Sequence, residues 1–119
     1  MVHSWFIKAE VDLKEAEIDA LEITAEMVAD RWRKEEDYLL TLIRHYKSSV
    51  EFEMERQDEV DPAAVATEQE RLKEAENNHA TQKKEYEEGE EKSKEVIDLK
   101  RRELAVLRDV LRRSYVGHF

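Results

Sequence analysis

From Val11 onward, apolar side chains return every seven residues, as Val11, Ile18, Ala25, Trp32, Leu39 and Tyr46. A second register three residues later carries Leu21, Val28 and Leu42 and is interrupted by Lys14, Glu35 and Ser49. Two apolar positions per seven residues mark a helix that packs along another helix, so the pattern predicts a coiled-coil-like seam of imperfect quality. One long helix is expected over about 4–59. The pattern breaks at Val60-Asp61-Pro62-Ala63-Ala64-Val65. Asp61 is suited to accept hydrogen bonds from the first helical amides, and Pro62 fits a first-turn position that needs no donor. Val60 and Val65 stand at the two ends of a hydrophobic staple. A second helix is therefore expected over about 62–114, with the hinge at 60–62 and Gly117 just past its end.

The second helix is uneven. Between Ala66 and Glu95 its only sizeable apolar residues are Leu72 and Tyr86, whereas Val96, Ile97, Leu99, Leu104, Val106, Leu107, Val110 and Leu111 restore a broad apolar face. Asn77, Asn78 and His79 are weak helix formers, so a loop near 77–80, giving three helices, competes with an unbroken helix. If the chain reverses at Asp61, positions whose numbers add to about 122 face each other. Ile23 then meets Leu99, Ile18 meets Leu104, Val11 meets Leu111 and Ile7 meets Tyr115. Near the hinge the match fails, because Tyr38, Leu39, Leu42, Ile43, Tyr46, Val50, Phe52 and Met54 face a segment with few apolar side chains. That surplus asks for a cover: a second copy in a four-helix assembly, a foreign helix in a groove, or a third helix of the same chain.

Composition narrows the fold further. Among 119 residues there are two Gly, one Pro and no Cys, which removes the usual material for tight β-turns, phosphate cradles, disulfides and thiolate metal sites. At 40% apolar the chain is too hydrophobic to be disordered throughout, and at 42% charged it has a large surface for its core. The fold expected is all-α, an elongated antiparallel helical hairpin forming a single helical domain over 1–119.

Charge is distributed in three territories. Residues 1–50 carry 11 acids and 7 bases, 51–95 carry 16 and 7, and 96–119 carry 3 and 6, which together give the net charge of −10. The basic C-terminal segment complements the acidic first helix, as the hairpin requires. Overall acidity argues against direct nucleic-acid binding, which depends on dense Lys and Arg.

Searching for chemistry gives little. Glu76 and His79 form a single Glu-x-x-His, whereas a carboxylate-bridged metal bundle needs two such motifs and further glutamates. No Gly-rich cradle, nucleophile elbow or Cys nucleophile is present, so no catalytic residue, metal ligand or cofactor is expected. No window is long and apolar enough to span a membrane and the N-terminus lacks the layout of a signal peptide, so a soluble cytoplasmic chain is expected. No motif identifies a family.

The function expected is a non-enzymatic protein–protein interaction or scaffold module that self-associates, as a homodimer, through the stripe from Tyr38 to Met54. Trp5, Phe6, Tyr115 and Phe119 form a possible second anchor at the open end, because clustered aromatics often dominate interfaces. Two alternatives remain open: an acidic inhibitor or nucleic-acid mimic that binds a basic groove, and a cytoplasmic regulatory helical segment of a larger protein.

Overall fold

A computed structural model describes residues 4–56 and 59–116, the side chains of Tyr115 and Val116 excepted. Two helices account for nearly all of them: α1, Ser4–Met54, and α2, Pro62–Val116. They form an antiparallel helical hairpin, and no strand occurs among the described residues. The helix start at the hinge follows the sequence. The Ala63 amide donates to Asp61 Oδ1 at 3.0 Å and the Val65 amide to the Asp61 carbonyl at 3.0 Å, so Asp61 caps α2 from outside and Pro62 opens it.

Helix α2 runs without a break through Asn77, Asn78 and His79, which removes the three-helix alternative. Their modest propensity is outweighed by local ties, since Gln82 Nε2 donates to Asn78 Oδ1 at 2.9 Å and His79 Nε2 lies 3.0 Å from Glu36 Oε2 on α1. Gly89 also sits inside α2, and apart from its chain neighbours and the adjacent backbone of its own helix nothing lies within 4 Å of the place a β-carbon would occupy. Its only effect there is to leave the unfolded chain freer. Gly89→Ala is expected to stabilise the protein by about 0.5–1 kcal/mol; urea unfolding followed by circular dichroism checks it.

Contacts divide the chain into two compact units, a terminal unit of residues 1–28 with 89–119 and a hinge unit of residues 29–88. In the terminal unit the inward positions of α1 are Ile7, Val11, Lys14, Ile18, Leu21 and Ala25, and those of α2 are Ser93, Ile97, Lys100, Leu104, Leu107 and Leu111, all buried or half-buried. Val11, Ile18, Ile97 and Leu104 form its buried core, with Leu21, Leu107 and Leu111 packed against it. In the hinge unit the inward positions are Trp32, Glu36, Leu39, Ile43, Tyr46 and Val50 on α1, and Glu68, Leu72, Ala75, His79, Gln82 and Tyr86 on α2.

Both sets obey one register, in which facing numbers add to 118, as in the stacked pair Trp32 and Tyr86. The expected value of 122 is therefore wrong by about one helical turn. The reason lies in the connection. Asp61 is its last residue, the cap of α2, whereas a reversing chain pivots about the middle of the segment between Met54 and Pro62. With the shift, Ile23 and Leu99 do not meet in the interior: they stay 58% and 54% exposed. Helix α1 also ends at Met54, short of the expected 59, and α2 reaches Val116.

The heptad series from Val11 to Tyr46 stays inward along its whole length. Its companion series changes: Lys14 and Leu21 serve in the terminal unit, whereas Glu36, Ile43 and Val50 serve in the hinge unit and Val28 is exposed. A four-residue insertion in a heptad pattern has this result, exchanging one flanking column of the seam for the other.

Candidate interaction surfaces

The stripe expected near the hinge is mostly inside the hairpin. Leu39, at 4% exposure, and Ile43 are buried, while Leu42, Tyr46 and Val50 are half-buried; only Tyr38, Phe52 and Met54 remain exposed. The facing segment of α2 is poor in large apolar side chains, but half-buried Glu68, Gln82 and His79 lend their alkyl and ring surfaces to the cover. Leu39 and Ile43 are thus unavailable as an interface. Tyr38, His45 and Phe52 recur every seven residues on one outer face of α1, with the Arg56 guanidinium 5.8 Å from the Phe52 ring centre. A shallow groove beside them is lined by His45, Ser48, Ser49, Phe52, Glu53 and Glu68.

Inside the hinge unit one polar and aromatic cluster spans the two helices. The Trp32 ring lies nearly parallel to both His79 and Tyr86, with centroids 6.3 and 5.4 Å away, and His79 Nε2 meets Glu36 Oε2 at 3.0 Å. His79 is therefore engaged across the hairpin instead of acting with Glu76. No group of three or more His, Asp or Glu side chains that could hold a metal occurs among the described residues.

Of the second anchor, Trp5 and Phe6 are exposed and touch each other edge to face, with centroids 5.7 Å apart. The Tyr115 side chain and Phe119 lie outside the described residues.

A further apolar series lies outside the one that begins at Val11. In the terminal unit, α1 carries a second seven-residue series, Phe6, Leu13, Ala20 and Met27, interleaved with Ala9, Ala16 and Ile23. All seven are apolar and exposed. Position by position this series lies on a different face from the core series, so the first half of α1 is apolar on two sides. Helix α2 adds Val96, Leu99, Val106 and Val110, likewise exposed. The signal was available in the sequence as a repeat offset by one residue from Ile7, Lys14 and Leu21.

The two long sides of the terminal unit have opposite character. On one side Arg101 pairs with Glu22, and Arg108 Nη2 with Glu15 Oε1 at 2.6 Å; the groove there is lined by Glu15, Asp19, Arg101 and Arg108 around Ile18, Leu104 and Ala105. The other side carries the exposed apolar residues. Its floor holds a ladder of four charges, with Lys14 Nζ 2.8 Å from Glu103 Oε2 and 3.8 Å from Glu17 Oε2, and Lys100 Nζ 3.2 Å from Glu17 Oε2. Two ammonium and two carboxylate groups balance, and the shallow groove beside them is lined by Glu17, Ala20, Leu21, Thr24 and Lys100.

The hydrogen bond from Lys14 holds the Glu103 carboxyl below its ordinary 4.5, and the same bond raises the Lys14 ammonium above its ordinary 10.5. A carboxylate whose pKa is lowered by folding stabilises the protein above its unfolded value and loses that contribution as pH falls through the folded value. For Lys14 the contribution is present below 10.5 and disappears as pH rises through its higher folded value. Glu103→Gln is therefore expected to flatten the acid limb of the stability profile, below pH 4.5, relative to the parent chain. Thermal unfolding measured from neutral to acid pH for both proteins checks this, and parallel profiles refute it.

No helix among the described residues is long and apolar enough to cross a membrane. No family model matches the chain, and no curated protein or solved structure is detectably similar to it.

Proposed function

We propose that this chain is a non-enzymatic helical interaction module that associates with itself through apolar helix faces lying outside its own two-helix core. The observation that carries the reading is the outer series of α1 in the terminal unit, where Phe6, Leu13, Ile23 and Met27 are each more than half exposed. Apolar side chains scattered singly over a surface are ordinary, but a sustained seven-residue series on one helix face is the pattern of a second packing seam. Covering each large side chain is worth about 1.5–3 kcal/mol, so leaving the series in water is expensive. The concave place beside it is a shallow groove bordered by paired charges, which suits the docking of a helix better than the enclosure of a small molecule.

Absolute mass by light scattering on a sizing column, over a range of concentrations and at two salt levels, tests the reading. The expected result is a species of twice 14.2 kDa that survives high salt, because apolar association is little screened. A monomer at every concentration overturns it.

A further inference from the structure

Resting on that reading, we propose that the partner is a second copy docked on the terminal unit, with the outer series of each α1 packed along the exposed α2 residues of the other copy about a two-fold axis parallel to the helices.

Three observations lead to this arrangement. The first is level. A two-fold axis parallel to the helices keeps every residue at its own height, so residues side by side within one hairpin are side by side between two copies. In the 118 register Leu13 is level with Val106, Ala20 with Leu99, and Ile23 with Val96, each within one residue. The exposed apolar residues of α1 and α2 thus match in height, and small Ala20 stands where larger Leu99 arrives.

The second is charge. Over residues 6–27 the outer series of α1 runs through a segment with seven acids and two bases, and residues 96–113 of α2 carry six bases and three acids. Pairing α1 with a second α1 would set acidic edges against each other. Pairing it with the other copy's α2 sets acid against base. Four of these charges on each helix are already spent on the cross-hairpin pairs Lys14–Glu103, Glu17–Lys100, Glu22–Arg101 and Glu15–Arg108, and the remainder keep the same contrast, with Glu10, Asp12, Asp19 and Glu26 against Lys8 on α1 and Arg102, Arg112 and Arg113 against Asp98 and Asp109 on α2.

The third is desolvation. The four-charge ladder on the floor of this side is already balanced within one chain, so a covering helix meets no uncompensated charge. Its members keep their partners when water is displaced.

The chain has no Cys, which permits a direct test in the 119-residue chain. Leu13→Cys and Val106→Cys are made as separate proteins, mixed, and oxidised; a cross-linked heterodimer in clear excess over the homodimers of either alone is expected. In parallel, Leu13→Glu is expected to weaken association roughly 100-fold, as removal of one large buried side chain implies, while Phe52→Glu leaves it unchanged. Both positions are exposed in the single chain, and unchanged helicity by circular dichroism confirms that the hairpin persists. A dimer that resists Leu13→Glu, fails to cross-link and dissociates with Phe52→Glu overturns this surface but leaves self-association standing. A parent chain that is monomeric at all concentrations overturns both.

Discussion

Leu104→Ala is expected to destabilise the hairpin by about 3 kcal/mol, the middle of the range for Leu truncations in packed cores. Leu104 is one of only seven buried apolar side chains among the described residues, with Ile7, Val11, Ile18, Leu39, Ile43 and Ile97. It belongs to the buried cluster with Val11, Ile18 and Ile97, and the facing inward position across the seam is Lys14, whose head leaves the interior for Glu103. A small domain with stability near 5 kcal/mol loses most of it to one such change. Leu99→Ala is the matched control. Leu99 stands five residues away, is more than half exposed, and is expected to alter single-chain stability by less than about 0.5 kcal/mol. Urea unfolding of both variants at low protein concentration separates the two registers: the 122 register, which pairs Leu99 with Ile23, requires both substitutions to be costly.

The helices were legible from the sequence because their signals are local. The seven-residue series fixes the inward face of α1, and Asp61-Pro62 fixes the start of α2 through the hydrogen bond that the Ala63 amide donates to the Asp61 carboxylate two residues before it. Register is a different kind of quantity. It depends on how many residues the reversal consumes, and the residue that caps a helix marks the end of that segment, not its centre. A displacement of four positions left Ile18 with Leu104 and Val11 with Leu111 in one cluster while moving Ile23 and Leu99 out of the interior. Part of the expected pairing therefore looked sound for the wrong register.

The hinge-side stripe was misjudged for a related reason. Counting apolar residues on the facing segment treats Glu68 and Gln82 as absent from the interior, yet the stems of long polar side chains cover apolar neighbours while their heads reach water. Leu39 and Ile43 are buried with few apolar partners opposite them. In the terminal unit the opposite holds. Apolar residues there exceed what one partner helix can cover, and Leu13, Ala20 and Met27 are left on an outer face of α1. Surplus on a helix is decided by its angular distribution, and seven apolar residues in one column need only one partner while the same seven in two columns need two.

Trp32→Ala is expected to cost the hinge unit about 2–3 kcal/mol. Full truncation of a buried Trp costs about 3–5 kcal/mol, and Trp32 is half-buried, which places it below that range. Its ring stacks on both His79 and Tyr86, so its loss opens a gap across the hairpin and removes two aromatic contacts at once. Ala75 and Leu72, the next inward apolar residues of α2 toward the hinge, are too far along the helix to fill it. Trp32→Phe keeps a flat ring and is expected to recover more than half of the loss. Stability is read by denaturant unfolding, and a Trp5→Phe background leaves Trp32 as the sole indole, so that near-ultraviolet circular dichroism reports whether its stacked setting is rigid. Equal stability of Trp32→Ala and the parent would mean that α1 and α2 are held together in this unit by Leu39 and Ile43 alone. The cluster of Trp32, Glu36, His79 and Tyr86 would then be a surface ornament of the seam, and its geometry would carry no energetic weight.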